Sequence, residues 1–184
     1  WLNQDEFAHL NKGAKKEFMA HLSACSEFTT TPSVLIVDRI NTTPAHRSDI
    51  FAAMKSRGTR IGICWNSSAK ECVMRVKQRS YGHKSILPGA NVGMIIARTA
   101  KESIPISHDE TQAYGIDKII QLSGSMTRDE VVKTILKELV SVPSLSILGI
   151  DKITDEDIAR AVKVATNREL QISRANQLNV SPKE

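Results

Sequence analysis

Short apolar runs alternating with segments of helical periodicity constrain this chain more than any other feature of its sequence. Ser33-Val-Leu-Ile-Val-Asp38 is a compact, β-branched run of the kind that suits a strand covered on both faces. Thr42-Thr43-Pro44 follows it with a cap and a first-turn proline, predicting a helix to about Arg57 that stops at Gly58. Arg60-Ile-Gly-Ile-Cys-Trp65 reads as the next strand, and Ser67 or Ser68 opens a helix that turns Cys72, Val73 and Val76 inward. Residues 91–97 (Asn-Val-Gly-Met-Ile-Ile-Ala) are read as a third strand, and Lys118-Ile-Ile-Gln-Leu122 is the fourth apolar run. Thr127-Arg-Asp-Glu130 is then a capping box, followed by Val131, Val132, Ile135, Leu136 and Leu139 at helical spacing. Strand–helix alternation at these lengths implies an α/β fold, a parallel sheet with crossover helices.

From about Val142 the pattern changes. Val142-Pro-Ser-Leu-Ser interrupts the chain, and Thr154-Asp-Glu-Asp157 caps one more helix with a thin apolar stripe of Ile158, Ala161, Val162 and Ala165. Residues 1–141 are therefore expected to form the main domain, and residues 142–184 a linker and helical C-terminal appendage. With 184 residues and 41% apolar residues, the chain can bury a core, and no run is long or uncharged enough to cross a membrane. Three cysteines (Cys25, Cys64, Cys72) at unpatterned spacing suggest neither a disulfide framework nor a zinc site, and an intracellular location is expected. Lys and Arg outnumber Asp and Glu by 25 to 20, a net charge of +5 that suits a phosphate-rich partner. Aromatics at 4% argue against single-strand binding driven mainly by base stacking.

Polar clusters fall where an α/β enzyme places its chemistry, near strand ends and helix starts. Asn3-Gln4-Asp5-Glu6 precedes a helix expected to begin near Phe7. Asp38, Arg39 and Asn41, with Arg47, follow the run at 33–38 directly. Arg75 and Arg79, four apart on one helical face, lead into Ser80-Tyr81-Gly82-His83-Lys84-Ser85, and Arg98 ends the third run. Phosphoryl transfer to a hydroxyl needs a carboxylate to accept the proton, cations to balance the phosphates and Mg²⁺ between phosphate oxygens. Asp5 has the chemistry of the base, and Arg75 and Arg79 that of a phosphate clamp, since guanidinium forks match phosphate oxygens. The plainer alternatives are an N-cap for Asp5, a solvated helix face for the two arginines, a loop position for His83 and a core position for Cys64.

In this order and spacing the clusters resemble the polynucleotide 5′-kinase domain of fungal-type tRNA ligases and, more distantly, the phage polynucleotide kinase. That family's Asn/Gln–Asp–Asp/Glu motif is matched by Gln4-Asp5-Glu6, and its Asp-Arg-x-Asn motif by Asp38-Arg39-Ile40-Asn41, with Arg47 as the following arginine. Its lid motif is matched by Arg75, Arg79 and Gly82-His83. The resemblance spans roughly residues 1 to 140. It implies a P-loop kinase-like fold in which Asp5 is the general base for an RNA 5′-hydroxyl. It further implies that Asp38, Arg39, Asn41 and Arg47 bind the RNA acceptor, that Arg75 and Arg79 bind the donor phosphates and that His83 belongs to the lid. It implies GTP or ATP as donor, with Mg²⁺ whose protein ligands are unknown, and RNA, as tRNA exon halves with 5′-OH ends, as partner. Ligase and cyclic phosphodiesterase domains in the same polypeptide, at a nuclear or cytoplasmic location, complete what it implies.

This sequence departs from the family at Ile40 and Gly82, where the fungal pattern usually has Asn. It also contains no Gly-x-x-x-x-Gly-Lys-Ser/Thr loop, whose backbone amides and Lys hold the phosphates in such kinases. In the family that loop lies shortly before the motif at Gln4-Asp5, so Trp1 is expected to follow a cut, and the fragment alone is expected to be inactive. Two alternatives remain: a small-metabolite kinase on the same scaffold, and a non-catalytic module that binds RNA or a partner domain.

Overall fold

The computed structural model describes residues 2–27, 33–39, 41–55, 58–77 and 91–178, apart from the side chains of residues 8, 11 and 168–178. In chain order its elements are β1 (Leu2–Asn3), a 3-10 helix (Gln4–Gly13), α1 (Ala14–Cys25), β2 (Val37–Asp38), α2 (Pro44–Ala53), β3 (Ile61–Asn66) and α3 (Ala69–Lys77). Next come α4 (Val92–Glu102), α5 (His108–Tyr114), β4 (Lys118–Ser123), α6 (Arg128–Val140), two further 3-10 turns (Pro143–Leu148 and Ile150–Lys152) and α7 (Asp155–Leu178). The chain divides into two compact units, one of Trp1–Ile61 with Met94–Lys118 and one of Gly62–Gly93 with Ile119–Glu184. The fold is mixed α/β with parallel strand pairing, as expected, but the described strands form two separate two-stranded sheets.

In the first unit β1 and β2 run parallel, with Leu2 opposite Val37 and Asn3 opposite Asp38. Phe18 and Leu22, one helical turn apart on α1, are fully buried and cluster with Leu2 and Ile50. Phe7 joins them, its ring edge-on to Phe18 at 6.0 Å. The α2 start follows the sequence closely: Thr43 caps it, accepting from the His46 N–H at 3.2 Å, and Pro44 fills the first turn. Its end comes earlier than the predicted Arg57. The Met54 N–H still reaches the Ile50 carbonyl, but the Lys55 N–H donates to Ser26 Oγ at 3.0 Å, and that bond takes the chain out of the helix.

Two expectations are corrected. The run at 33–38 pairs only at Val37–Asp38, because its partner strand is two residues long; Val34 and Ile36 are exposed rather than covered on both faces. The run at 91–97 is not a strand but the start of α4. Val92 and Ile96, four apart, are buried while Met94 and Ile95 are exposed, which is a helical period; a short apolar run alone does not separate buried strand from helix.

β3 and β4 pair, and all but their first residues, Ile61 and Lys118, belong to the second unit. Bonds at the two ends, Asp117 N–H to the Arg60 carbonyl and Gly124 N–H to the Asn66 carbonyl, both at 2.9 Å, fix the direction as parallel. Ile120 and Leu122, alternate residues of β4, are each 1% exposed. Ser68 opens α3 through reciprocal bonds with Glu71, and Val76 is buried on its inner face. Thr127 and Glu130 form the predicted capping box at α6. Thr154 and Asp157 do the same for α7, which packs on α6. The α7 stripe is thinner than expected: Ile158 is buried, Val162 half-buried, and Ala161 and Ala165 exposed. Among the described residues no helix is long and apolar enough to cross a membrane.

Candidate active site

Parallel pairing of β1 with β2 brings together two motifs that lie 35 residues apart. Each strand runs straight into its motif, so Asn3-Gln4-Asp5 and Asp38-Arg39 emerge side by side at the carboxyl ends of the two strands. In open α/β folds ligands bind in the crevice outside the carboxyl ends of the strands. The Asn3 carboxamide ties the two acidic residues. Its Oδ1 accepts the Asp5 N–H at 2.8 Å, and its Nδ2 donates to Asp38 Oδ2 at 3.2 Å.

Asp5 lies within the first turn of the 3-10 helix rather than ahead of a helix beginning near Phe7. The cap there is Asn3, not Asp5, so the N-cap alternative for Asp5 falls away. The Asp5 side chain is half-buried, and its carboxylate accepts no hydrogen bond from the described residues. Asp38 is exposed beside it. Arg39 is held from two sides, donating from Nε to Gln4 Oε1 at 2.6 Å and from Nη1 to the His46 carbonyl at 3.1 Å. Burial lowers its pKa from the ordinary arginine value, and Asp49 acts in the opposite direction. Asp49 itself is held below the usual carboxylate range, first by its hydrogen bond from Lys15, at 2.6 Å.

Arg47 is placed differently from an exposed acceptor contact. It is 6% exposed and spends its donors inside the protein. Nε and Nη2 form a two-pronged pair with Glu110 at 2.9 and 2.8 Å, and Nη1 donates to the Asn41 and Ile104 carbonyls, each at 3.0 Å. Asn41 is half-buried, and its side-chain Oδ1 has no partner among the described residues. Glu110 is drawn below the ordinary glutamate value chiefly by its hydrogen bond from Arg47, with the Ser107 N–H adding to it and burial opposing. Sequence reasoning did not single Glu110 out, although Ser107-x-x-Glu110 is a legible capping box.

The second unit carries Arg75, exposed on α3, whose Nη2 donates to the Gly124 carbonyl. Arg79 and His83 lie outside the described residues, as does Ile40. Among the described residues no three His, Cys, Asp or Glu side chains converge to hold a metal ion. Mg²⁺ often takes only one or two protein carboxylates, completing its shell with water and substrate phosphates, and single residues such as Asp5 or Asp38 fit that mode. Comparison with family models, with curated proteins and with solved structures gives no match.

Proposed function

We propose that this chain forms the body of a P-loop kinase-like RNA 5′-hydroxyl kinase domain of a tRNA splicing and RNA repair ligase, transferring the γ-phosphate of GTP or ATP to a 5′-OH RNA end. The observation that carries the reading is the Asn3 bridge, which sets Asp5 and Asp38 together with Arg39 at the open ends of a parallel strand pair. Asp5 accepts the proton of the 5′-hydroxyl as the new O–P bond forms, and the nucleoside diphosphate leaves with the electrons of the broken P–O bond. Asp38 and Arg39 orient the RNA end. Arg47 holds Asn41 from beneath, which makes it a support of the acceptor loop. Arg75 commits one N–H to Gly124 and retains others for donor phosphates; in this reading Arg79 shares that task and His83 belongs to the lid. When bound, Mg²⁺ would take a single carboxylate such as Asp5 or Asp38 and would neutralise charge on the nucleotide phosphates. In this reading ligase and phosphodiesterase domains share the polypeptide.

A non-catalytic RNA- or partner-binding module is the second reading. It is favoured by one observation: Arg47, one of the expected RNA-facing cations, is bound internally. The test is transfer of labelled γ-phosphate to a 5′-OH RNA oligonucleotide by the parent protein, with GTP and ATP offered separately. Loss of about 10²–10⁴-fold in rate in Asp5→Asn, with RNA binding unchanged, is the expected result for a general base. A folded parent that transfers no phosphate to RNA from either nucleotide sinks the RNA kinase reading and leaves a binding module or a kinase for a different acceptor.

A further inference from the structure

Arg47 and Glu110 form a buried pair that does more than neutralise two charges. Residues 41–43, just ahead of α2, contribute no regular structure, so something else must hold them. One direct bond and one bridging guanidinium join them to the segment between α4 and α5. The Ile104 N–H donates to the Thr42 carbonyl at 2.8 Å, and Arg47 Nη1 reaches the Asn41 and Ile104 carbonyls together. The orientation of that guanidinium is set by Glu110, which fixes the opposite edge of the fork with both carboxylate oxygens. Glu110 is itself immobilised, because Oε2 also accepts the Ser107 N–H at 3.2 Å while its own N–H donates to Ser107 Oγ at 3.1 Å. The side chains of the pair are 7% and 14% exposed, so water competes little for these bonds. A two-pronged guanidinium–carboxylate pair is directional as well as strong. An Arg47 without Glu110 is free to turn away from the Asn41 carbonyl.

We infer that Glu110 is a positioning residue for the acceptor loop, acting through Arg47 to hold Asn41 and hence the segment that carries Asp38 and Arg39. The inference rests on the kinase reading only for the identity of what binds there; the anchoring is a property of the fold. Its consequence is selective: removing Glu110 weakens use of the RNA 5′-OH end and leaves use of the nucleotide unchanged.

The test combines two readouts. Hydrogen exchange of the 184-residue chain follows the Ile104 and Arg47 amides, with Phe18 and Leu22 amides as internal controls. Steady-state kinetics of the parent protein gives separate KM values for RNA and nucleotide. The variants are Glu110→Gln, and the double variant Arg47→Met with Glu110→Leu, which leaves no unpaired charge in case the single variant fails to fold. The expected result is an acceleration of exchange at Ile104 at least tenfold greater than that of the control amides, which report any global loss of stability. The KM for 5′-OH RNA rises about tenfold or more, and the nucleotide KM changes less than twofold. Unchanged exchange at Ile104, or equal changes in both KM values, overturns the inference. Should the wild-type parent transfer no phosphate, the kinase reading falls by itself, and binding of the 5′-OH oligonucleotide replaces KM. Weaker binding in the double variant then sustains the positioning role, and unchanged binding ends it.

Discussion

Arg39 Nε donates to Gln4 Oε1 at 2.6 Å, a bond between residues 35 apart that joins the two motifs of the candidate site. The guanidinium is half-buried, so its N–H groups are partly cut off from water. Gln4→Ala leaves Nε without that acceptor, and the loss for a hydrogen bond to a charged group that still sees some solvent is about 1 kcal/mol. Asn3→Ala removes the weaker, exposed contact to Asp38 together with the bond to the Asp5 N–H, a cap-like loss of about 1 kcal/mol. Urea unfolding of the two single variants and their double variant checks both values. Because the two side chains hold the same pair of segments, the double variant loses less than the sum of the singles.

The Arg47–Glu110 pair predicts a larger effect and an asymmetry. Arg47→Ala or Glu110→Ala strands a buried charge and destabilises by about 3–5 kcal/mol. Replacing both by apolar residues of similar size, Arg47→Met with Glu110→Leu, loses much less, because neither charge is left alone. Denaturant unfolding of the three variants decides the matter: a double variant as unstable as the singles contradicts it.

The same pair makes stability depend on pH in a defined direction. Glu110 has its pKa lowered from an ordinary value of 4.5, chiefly by the Arg47 hydrogen bond. Between the folded and unfolded values the unfolded chain binds the extra proton, so stability rises with pH there. The contribution is fully present above about pH 4.5, the unfolded value, and is lost as pH falls through the lower folded value. Glu110→Gln removes this slope. Comparing unfolding free energies of wild type and variant at pH 6 and near pH 3 gives a smaller difference at the acid end; a difference that does not narrow excludes Glu110 as the source.

Much of the secondary structure was legible because it rests on local chemistry. Thr43 with Pro44, Ser68 with Glu71, Thr127 with Glu130, and Thr154 with Asp157 announce their helices by satisfying amide groups within four residues. The failures share the opposite cause. The α2 stop is set by Ser26, 29 residues from the Lys55 N–H it accepts. The short β2 is set by the length of β1, and the helical state of residues 91–97 by which apolar residues find cover. The candidate site divides in the same way. Gln4, Asp5, Asp38 and Arg39 are contiguous motifs and were legible, whereas the burial of Arg47 depends on Glu110, 63 residues away.

Thr127 supplies a local test of the capping argument. Its Oγ1 accepts the Glu130 N–H at 3.3 Å, and its N–H donates to Glu130 Oε2 at 2.7 Å. Thr127→Ala removes the first bond and destabilises by about 1 kcal/mol, while Thr127→Ser, which keeps the hydroxyl, changes stability by only a few tenths. Thermal unfolding of the two variants separates the hydroxyl from the methyl group; equal losses contradict the cap.

Gly124 is required for a reason of space rather than of backbone angle. It is buried at the end of β4, where its N–H bonds the Asn66 carbonyl. A Cβ placed on it lies 2.2 Å from Ser67 Oγ, 3.0 Å from Ser67 Cβ and 3.2 Å from Ser67 Cα. Rotation of the Ser67 side chain relieves the first contact only, so the strands' ends must move apart. Gly124→Ala is expected to destabilise by about 1–3 kcal/mol, the range for overpacking a close-packed site. Ser67→Gly removes the two side-chain contacts and leaves the one to Cα. In that background Gly124→Ala therefore loses less than it does alone, a coupling of about 0.5 kcal/mol or more in a double-mutant cycle. Since the Gly124 carbonyl also holds Arg75, under the proposed kinase function the same substitution is expected to raise the nucleotide KM of the parent and leave its RNA KM unchanged. Additive losses in the cycle reject the steric account, and an unchanged nucleotide KM in a folded variant separates Arg75 from the donor phosphates.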